Sequence, residues 1–181
     1  MKMFSTLSAV LLFATSTASA GDFALTSTAL SSGKFSNTQV FKGFGCEGDN
    51  QSPDLSWSDA PAGTKSFALM VHDPDAPTGG AGWWHWVVYN IPASTTSLPA
   101  GVTSDSGLPT GAVQGTTDFG TAGWGGPCPP EGDEAHRYNF TVYALKVDKL
   151  ELPAGATASL TGFMVNMNAI GSASLQARYG R

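Results

Sequence analysis

The segment from Arg137 to Leu145 alternates in character with a period of two. Tyr138, Phe140, Val142 and Ala144 fall on one side, and Arg137, Asn139 and Thr141 on the other. A helix would scatter both sets around its circumference, so the pattern dictates a half-buried strand. Ser66 to Val71 reads as a buried strand, and His85 to Ile91 as a second. Pro92 ends the second run, because proline has no N–H to give a ladder. Shorter extended stretches are expected at Phe23–Leu25, Thr38–Phe41, Leu55–Trp57 and Ser174–Tyr179. A helix is expected over Thr157–Ala169, where Leu160, Phe163, Met164, Met167 and Ile170 recur at helical spacing and Thr157 or Ser159 can cap. Residues 93–126 are rich in Gly, Thr, Ser and Pro and read as long irregular loops. Strands outnumber helices and no β–α–β rhythm appears. The expected fold class is therefore mainly β, an antiparallel β-sandwich with a few short peripheral helices.

The N-terminus carries a different signal. Lys2, an apolar run from Leu7 to Ala14, and Ala18-Ser-Ala20 before Gly21 read as a secretory leader. The run is shorter than the roughly 20 residues a bilayer span requires, and no later segment is long or apolar enough. The expected organisation is a signal peptide over 1–20, cut after Ala20, and one domain over 21–181. The mature protein is expected to be soluble and either periplasmic or secreted. The 22 Gly and 11 Pro, with charged residues at only 13%, fit a turn-rich β domain. A net charge of −5 with nine basic residues argues against nucleic acid as a partner, because that binding depends on neutralising phosphates. Any anion must be held locally. Export makes a disulfide permissible, and Cys46 and Cys128 allow one pairing. The alternative is two separate buried thiols. Both residues lie in Gly- and Pro-rich loops, which favours the bridge.

Chemistry-bearing residues gather in two stretches. The first holds Asp73-Pro-Asp-Ala-Pro77 and then Gly82-Trp-Trp-His-Trp86; the second holds Gly125-Gly-Pro-Cys-Pro-Pro-Glu-Gly132 and then His136-Arg-Tyr138. Each is a rigid loop followed by a histidine at the head of an apolar strand. Together they point to one small polar pocket. One of Asp73 and Asp75 is expected to close its own turn, and the other to face a histidine and fix its ring. The prolines around Cys128 leave the Cys128 N–H as a possible anion donor, and Tyr138 adds a hydroxyl. His72 is expected to point elsewhere. Gly43-Phe-Gly-Cys-Glu-Gly48 matches a dinucleotide fingerprint, but Asp49, Asn50 and Pro53 follow where a helix would have to begin. It is read as a loop, with no cofactor implied. An enzyme reading would use Asp73, His85 and His136 as acid–base groups or metal ligands, or Cys128 as nucleophile. Neither H-x-x-x-H nor G-x-S-x-G spacing supports it, and the expectation is a non-enzymatic protein without a metal.

These motifs resemble the phosphatidylethanolamine-binding protein family, in its bacterial Raf-kinase-inhibitor-like YbhB/YbcL branch. The resemblance runs through Ser52-Pro-Asp-Leu-Ser-Trp57, Pro61-Ala-Gly-Thr-Lys-Ser-Phe67, Asp73-Pro-Asp-Ala-Pro77, Trp84-His-Trp-Val-Val88, Asn90-Ile-Pro92, Gly126-Pro-Cys-Pro-Pro130 and His136-Arg-Tyr138. It implies a large antiparallel sandwich and a small pocket for phosphate-like anions or phosphorylated ligands. Asp73 and His85 would form one wall, and His136 and Tyr138 another. Gly126, Cys128 and Pro129 would form the rim, while Asp75 and Pro77 brace the first loop. Asp73 would orient His85, and affinity would rise as pH falls toward about 6, where imidazoles protonate. The helix that closes the chain and gates the pocket in animal members is not expected, since this chain ends in a strand-like segment. A rival expectation is an inhibitor or effector acting on a protease, kinase or host partner through the pocket rim. An exposed Trp83–Trp84 pair would anchor that contact.

Overall fold

The computed structural model describes residues 21–181, so the expected leader lies outside the described residues. The elements are β1 (Ala24–Thr26), β2 (Lys42–Gly43), β3 (Cys46–Glu47), β4 (Leu55–Ser58), β5 (Ser66–Asp73), β6 (Trp83–Pro92), β7 (Ser97–Leu98), β8 (Val113–Gln114), β9 (His136–Leu145), α1 (Ala158–Asn168) and β10 (Ala169–Tyr179). A five-stranded sheet in the order β10-β9-β5-β6-β8 faces a three-stranded sheet in the order β1-β4-β7, and every ladder is antiparallel. This is the β-sandwich expected from the pattern, with one helix among the described residues rather than several.

The core lies between the sheets. Leu25, Leu55, Trp57 and Leu98 of the small sheet pack on Phe67, Leu69, Val71, Trp86, Phe140 and Val142 of the large one. The opposite face of the large sheet buries Ala68, Met70 and Val87 beneath Leu150, Ala158 and Val165. Covered on both faces, β5 and β6 are mostly apolar along their length, while β9 keeps the alternation read from its sequence.

Three local expectations need correction. Thr38–Phe41 is a turn rather than a strand, closed by Gln39, whose side chain accepts from the N–H and hydroxyl of Ser36. The C-terminal strand begins at Ala169 rather than Ser174, its small residues giving little apolar signal. The helix is capped by Thr157 as expected, but it buries the other side: Ala158, Thr161, Gly162 and Val165 face the sheet. Phe163 and Met167 are 62% and 60% exposed. The helix lies close to the sheet on its buried side, where a Cβ on Gly162 would make ordinary contact with the methyl of Met70 at 3.4 Å.

Two irregularities interrupt β6. Val71 pairs with Trp86 and His72 with Trp84, so His85 is an extra residue in the ladder, a β-bulge. A second shift lies between the Phe67–Ile91 and Leu69–Val88 pairs, where Asn90 has φ +57°. The Asn90 side chain is fixed by accepting from Leu150 N and donating to Leu150 O.

Candidate functional site

The order β9-β5-β6 sets the end of β5 between the starts of β9 and β6. Asp73 ends β5, His85 sits near the start of β6, and His136 and Tyr138 begin β9. These four side chains line one cavity of about 310 Å³, together with Pro77, Cys128 and Pro129. Regular alternation would turn His85 toward the helix side, with Val87. The bulge turns it instead to the side of Trp86, where its ring meets Tyr138 edge-on at 5.0 Å.

Each imidazole is anchored through Nδ1. His85 Nδ1 lies 2.6 Å from Gly125 O, and the Gly125 N–H donates to His85 O at 2.9 Å. A carbonyl oxygen only accepts, so Nδ1 carries the proton and Nε2 is left for the cavity. His136 Nδ1 donates to Asp73 Oδ2 at 2.8 Å, and Asp73 Oδ1 accepts the Asp75 N–H at 2.8 Å. The expectation that Asp73 orients His85 is thus corrected: the carboxylate holds His136 and also closes its own turn. A backbone carbonyl holds His85. Because Asp73 and His136 bond each other, they do not converge with His85 on a common cation, and the described residues contain no cluster of three or more metal-ligating side chains.

Burial pushes the His85 imidazole down to about 4, although the Gly125 bond and the Asp73 charge pull the other way. It is neutral at pH 6, so the expected titration near that pH does not belong to His85. Tyr138 is fully buried, and its hydroxyl has no protein partner. The Asp73 carboxylate lies near that hydroxyl. Burial, and then the charge of Asp73, push the phenol well above its ordinary range, so it stays an O–H donor.

Two of the expected site residues lie outside the lining. Asp75 forms a fork with Arg137, Oδ1 to Nη2 at 2.6 Å and Oδ2 to Nε at 2.9 Å, and also accepts the Arg137 N–H at 2.8 Å. The guanidinium holds its carboxyl down at about 2. Asp75 therefore ties the β5–β6 loop to β9 and faces a neighbouring cleft with Asp133, Glu134 and Arg178. Gly126 donates its N–H to Asn50 Oδ1 at 2.8 Å, and a Cβ there would run into Gln39 O and Phe41 N. It is a packing point behind the rim. Cys128 is bridged to Cys46 with Cα atoms 6.0 Å apart, which ties the rim to the β2–β3 hairpin. Arg181 adds a second tie, donating to Pro129 O, Gly45 O and Phe44 O at 2.8–3.2 Å.

Sequence reasoning misses most of the aromatic wall. Phe44, 69% exposed, tops the β2–β3 hairpin, whose turn residues Phe44 and Gly45 both have positive φ. The glycines around Phe44 in the chain are the signal that could have found this hairpin. Phe119 also lines the cavity, and it is the sole aromatic between Tyr89 and Trp124. It is set in place by Asp118, which accepts the Trp84 N–H at 2.8 Å. Trp83 and Trp84 are not an exposed pair. Both are half-buried on opposite faces, Trp83 in the cavity edge-on to Phe119 at 5.5 Å, Trp84 against His72 at 4.3 Å.

The profile of the family described as phosphatidylethanolamine-binding protein matches residues 31–180. The chain is 52% identical over 176 residues to the UPF0098 protein YbcL of Escherichia coli strain K12, covering 96% of each chain. It is 49% identical over 147 residues to YbhB of the same strain, covering 81% of this chain and 92% of that one. The crystal structure of E. coli YbcL, described as a new member of the mammalian PEBP family, matches with a TM-score of 0.85 at 49% identity, covering 89% of this chain and 99% of that chain.

Proposed function

The chain belongs to the phosphatidylethanolamine-binding protein family, in its YbhB/YbcL branch, and from that premise we propose that it is an exported, non-enzymatic binding protein whose cavity receives a small anion, phosphate or a phosphorylated head group. The carrying observation is the pair of imidazoles, His85 and His136, that line one cavity with each Nδ1 committed to the protein, so that the remaining ring nitrogens are available to a guest. The rim is braced by a disulfide and by Arg181, which lowers the ordering cost of holding a guest. Catalysis by Cys128 has no support, because its sulfur is in the bridge. Export rests on the leader pattern of residues 1–20.

Titration calorimetry with inorganic phosphate and phosphoethanolamine tests this. Both are expected to bind the wild type, and the His85→Ala, His136→Ala double variant is expected to lose at least tenfold in affinity. No heat with either ligand in the folded wild type would overturn the reading.

A further inference from the structure

Away from the cavity, we propose that two copies of this chain pair through α1, the helices packed antiparallel about a two-fold axis with Leu160, Phe163 and Met167 of each copy at the centre.

The helix carries two apolar faces. The small one, with Ala158, Gly162 and Val165, lies on the chain's own sheet. The large one is uncovered: Leu160, Phe163 and Met167 are 39%, 62% and 60% exposed. At 3.6 residues per turn these three centre opposite Ala158 and Val165, so a rotation that buried them would uncover the small face. A helix that is apolar all round belongs in an interior. Single surface hydrophobics are ordinary, but here they are concentrated. Of the six large hydrophobics exposed among the described residues, four fall between Leu160 and Ile170.

The spacing says what shape of surface fits. Leu160, Phe163, Met167 and Ile170 recur at intervals of three, four and three, the seam by which one helix lies lengthwise along another. Among the described residues α1 is the only helix, so the matching helix belongs to another molecule. A second copy supplies the same seam, and a two-fold axis makes it self-complementary.

Charge selects the same occupant. No Asp, Glu, Lys or Arg occurs from Leu152 to Ala177. The loop between β9 and α1 borders the helix, with the Lys146 N–H donating to Asn168 O. That loop carries Lys146, Asp148, Lys149 and Glu151, and Asp148 pairs with Lys65 at 3.8 Å. Three basic and two acidic groups leave this border at +1, in a chain of net charge −5. Two such acidic molecules repel over most of their surface, but across this face an apolar centre meets its like inside a rim of mixed sign. A lipid surface fits less well, because interfacial helices carry Lys and Arg along their polar side and α1 has none. The helix has 11 residues and is about 16 Å long. So short a seam makes a weak pair, with a dissociation constant in the micromolar range.

Sedimentation equilibrium of the intact protein tests this. Between about 1 and about 200 μM the wild type is expected to pass from monomer to dimer. The Phe163→Ser, Met167→Ser variant should weaken association at least tenfold, yet keep the wild-type urea midpoint at the lowest concentration. Val113→Ser removes a comparably exposed side chain from β8 and should pair as the wild type does. A wild type that stays monomeric at the highest concentration would overturn the inference, as would a dimer that the α1 variant leaves intact. Monomeric protein that floats with phosphatidylcholine vesicles, and ceases to in the α1 variant, would assign the face to lipid and overturn it too. Anion binding is read separately from all of these outcomes.

Discussion

Replacing Tyr138 by Phe should stabilise the ligand-free protein and leave anion binding in place. The ring is fully buried and packs edge-on against Phe35 at 5.1 Å and His85 at 5.0 Å, contacts that Phe preserves. Only the hydroxyl goes, and in the free protein it has no partner. A buried polar group left unsatisfied costs about 1–3 kcal/mol, so its removal should stabilise the ligand-free protein by about 1 kcal/mol or more. For a domain of this size that raises Tm by roughly 2–4 °C per kcal/mol. The hydroxyl is sealed from the cavity, so phosphate affinity should stay within about threefold of wild type. Thermal melts in phosphate-free buffer and calorimetry with phosphate read the two separately. A variant that melts lower would show that the hydroxyl already has a partner within the protein, and the reasoning would fail.

Other outcomes rest on the same contacts. His85 is held neutral in the fold down to about pH 4, whereas the unfolded chain protonates it near 6.5, so below that value the unfolded state binds more protons. Its stabilising contribution is complete above about pH 6.5 and falls by about 3 kcal/mol as pH drops toward 4; urea midpoints at pH 7, 5.5 and 4 should show this slope in wild type and a flatter one in His85→Phe. The Cys46–Cys128 bridge spans a sequence separation of 82, for which chain entropy gives about 4.5 kcal/mol, so the Cys46→Ser, Cys128→Ser variant should lose stability on that scale in urea unfolding. On α1, Phe163→Ser should change stability by no more than about 0.5 kcal/mol, while Val165→Ala on the buried face should cost about 2 kcal/mol. The reverse ranking in denaturant melts would mean the helix presents its other side to the sheet.

What the sequence discloses and what it hides divide along physical lines. The period-two pattern of residues 137–145 is local, and burial tracks it residue by residue. The two His-headed strands are legible for the same reason: each comes after a loop stiffened by Pro and Gly, and an antiparallel sheet brings such strand starts to the end of their shared neighbour. Partner choice is not legible. Asp73 and His136 are 63 residues apart, and nothing local says that the carboxylate meets this ring rather than His85. The anchor of His85 is a main-chain carbonyl, which any residue at position 125 would supply. The helix misleads because its large apolar side chains mimic a buried stripe. Burial is decided across the contact, by the side of the helix that lies over Met70 of the sheet.

The extra residue at His85 makes the side on which that ring emerges a matter of parity. Deleting one residue between Trp83 and Trp86 would let the ladder run evenly up to Trp86 and keep every pairing beyond it. The shortened segment would then send whatever stands before Trp86 to the face beneath the helix, and the cavity would be stripped of its ring while the sandwich folded as before. Insertions and deletions at the head of this strand therefore govern the pocket more absolutely than most substitutions within it.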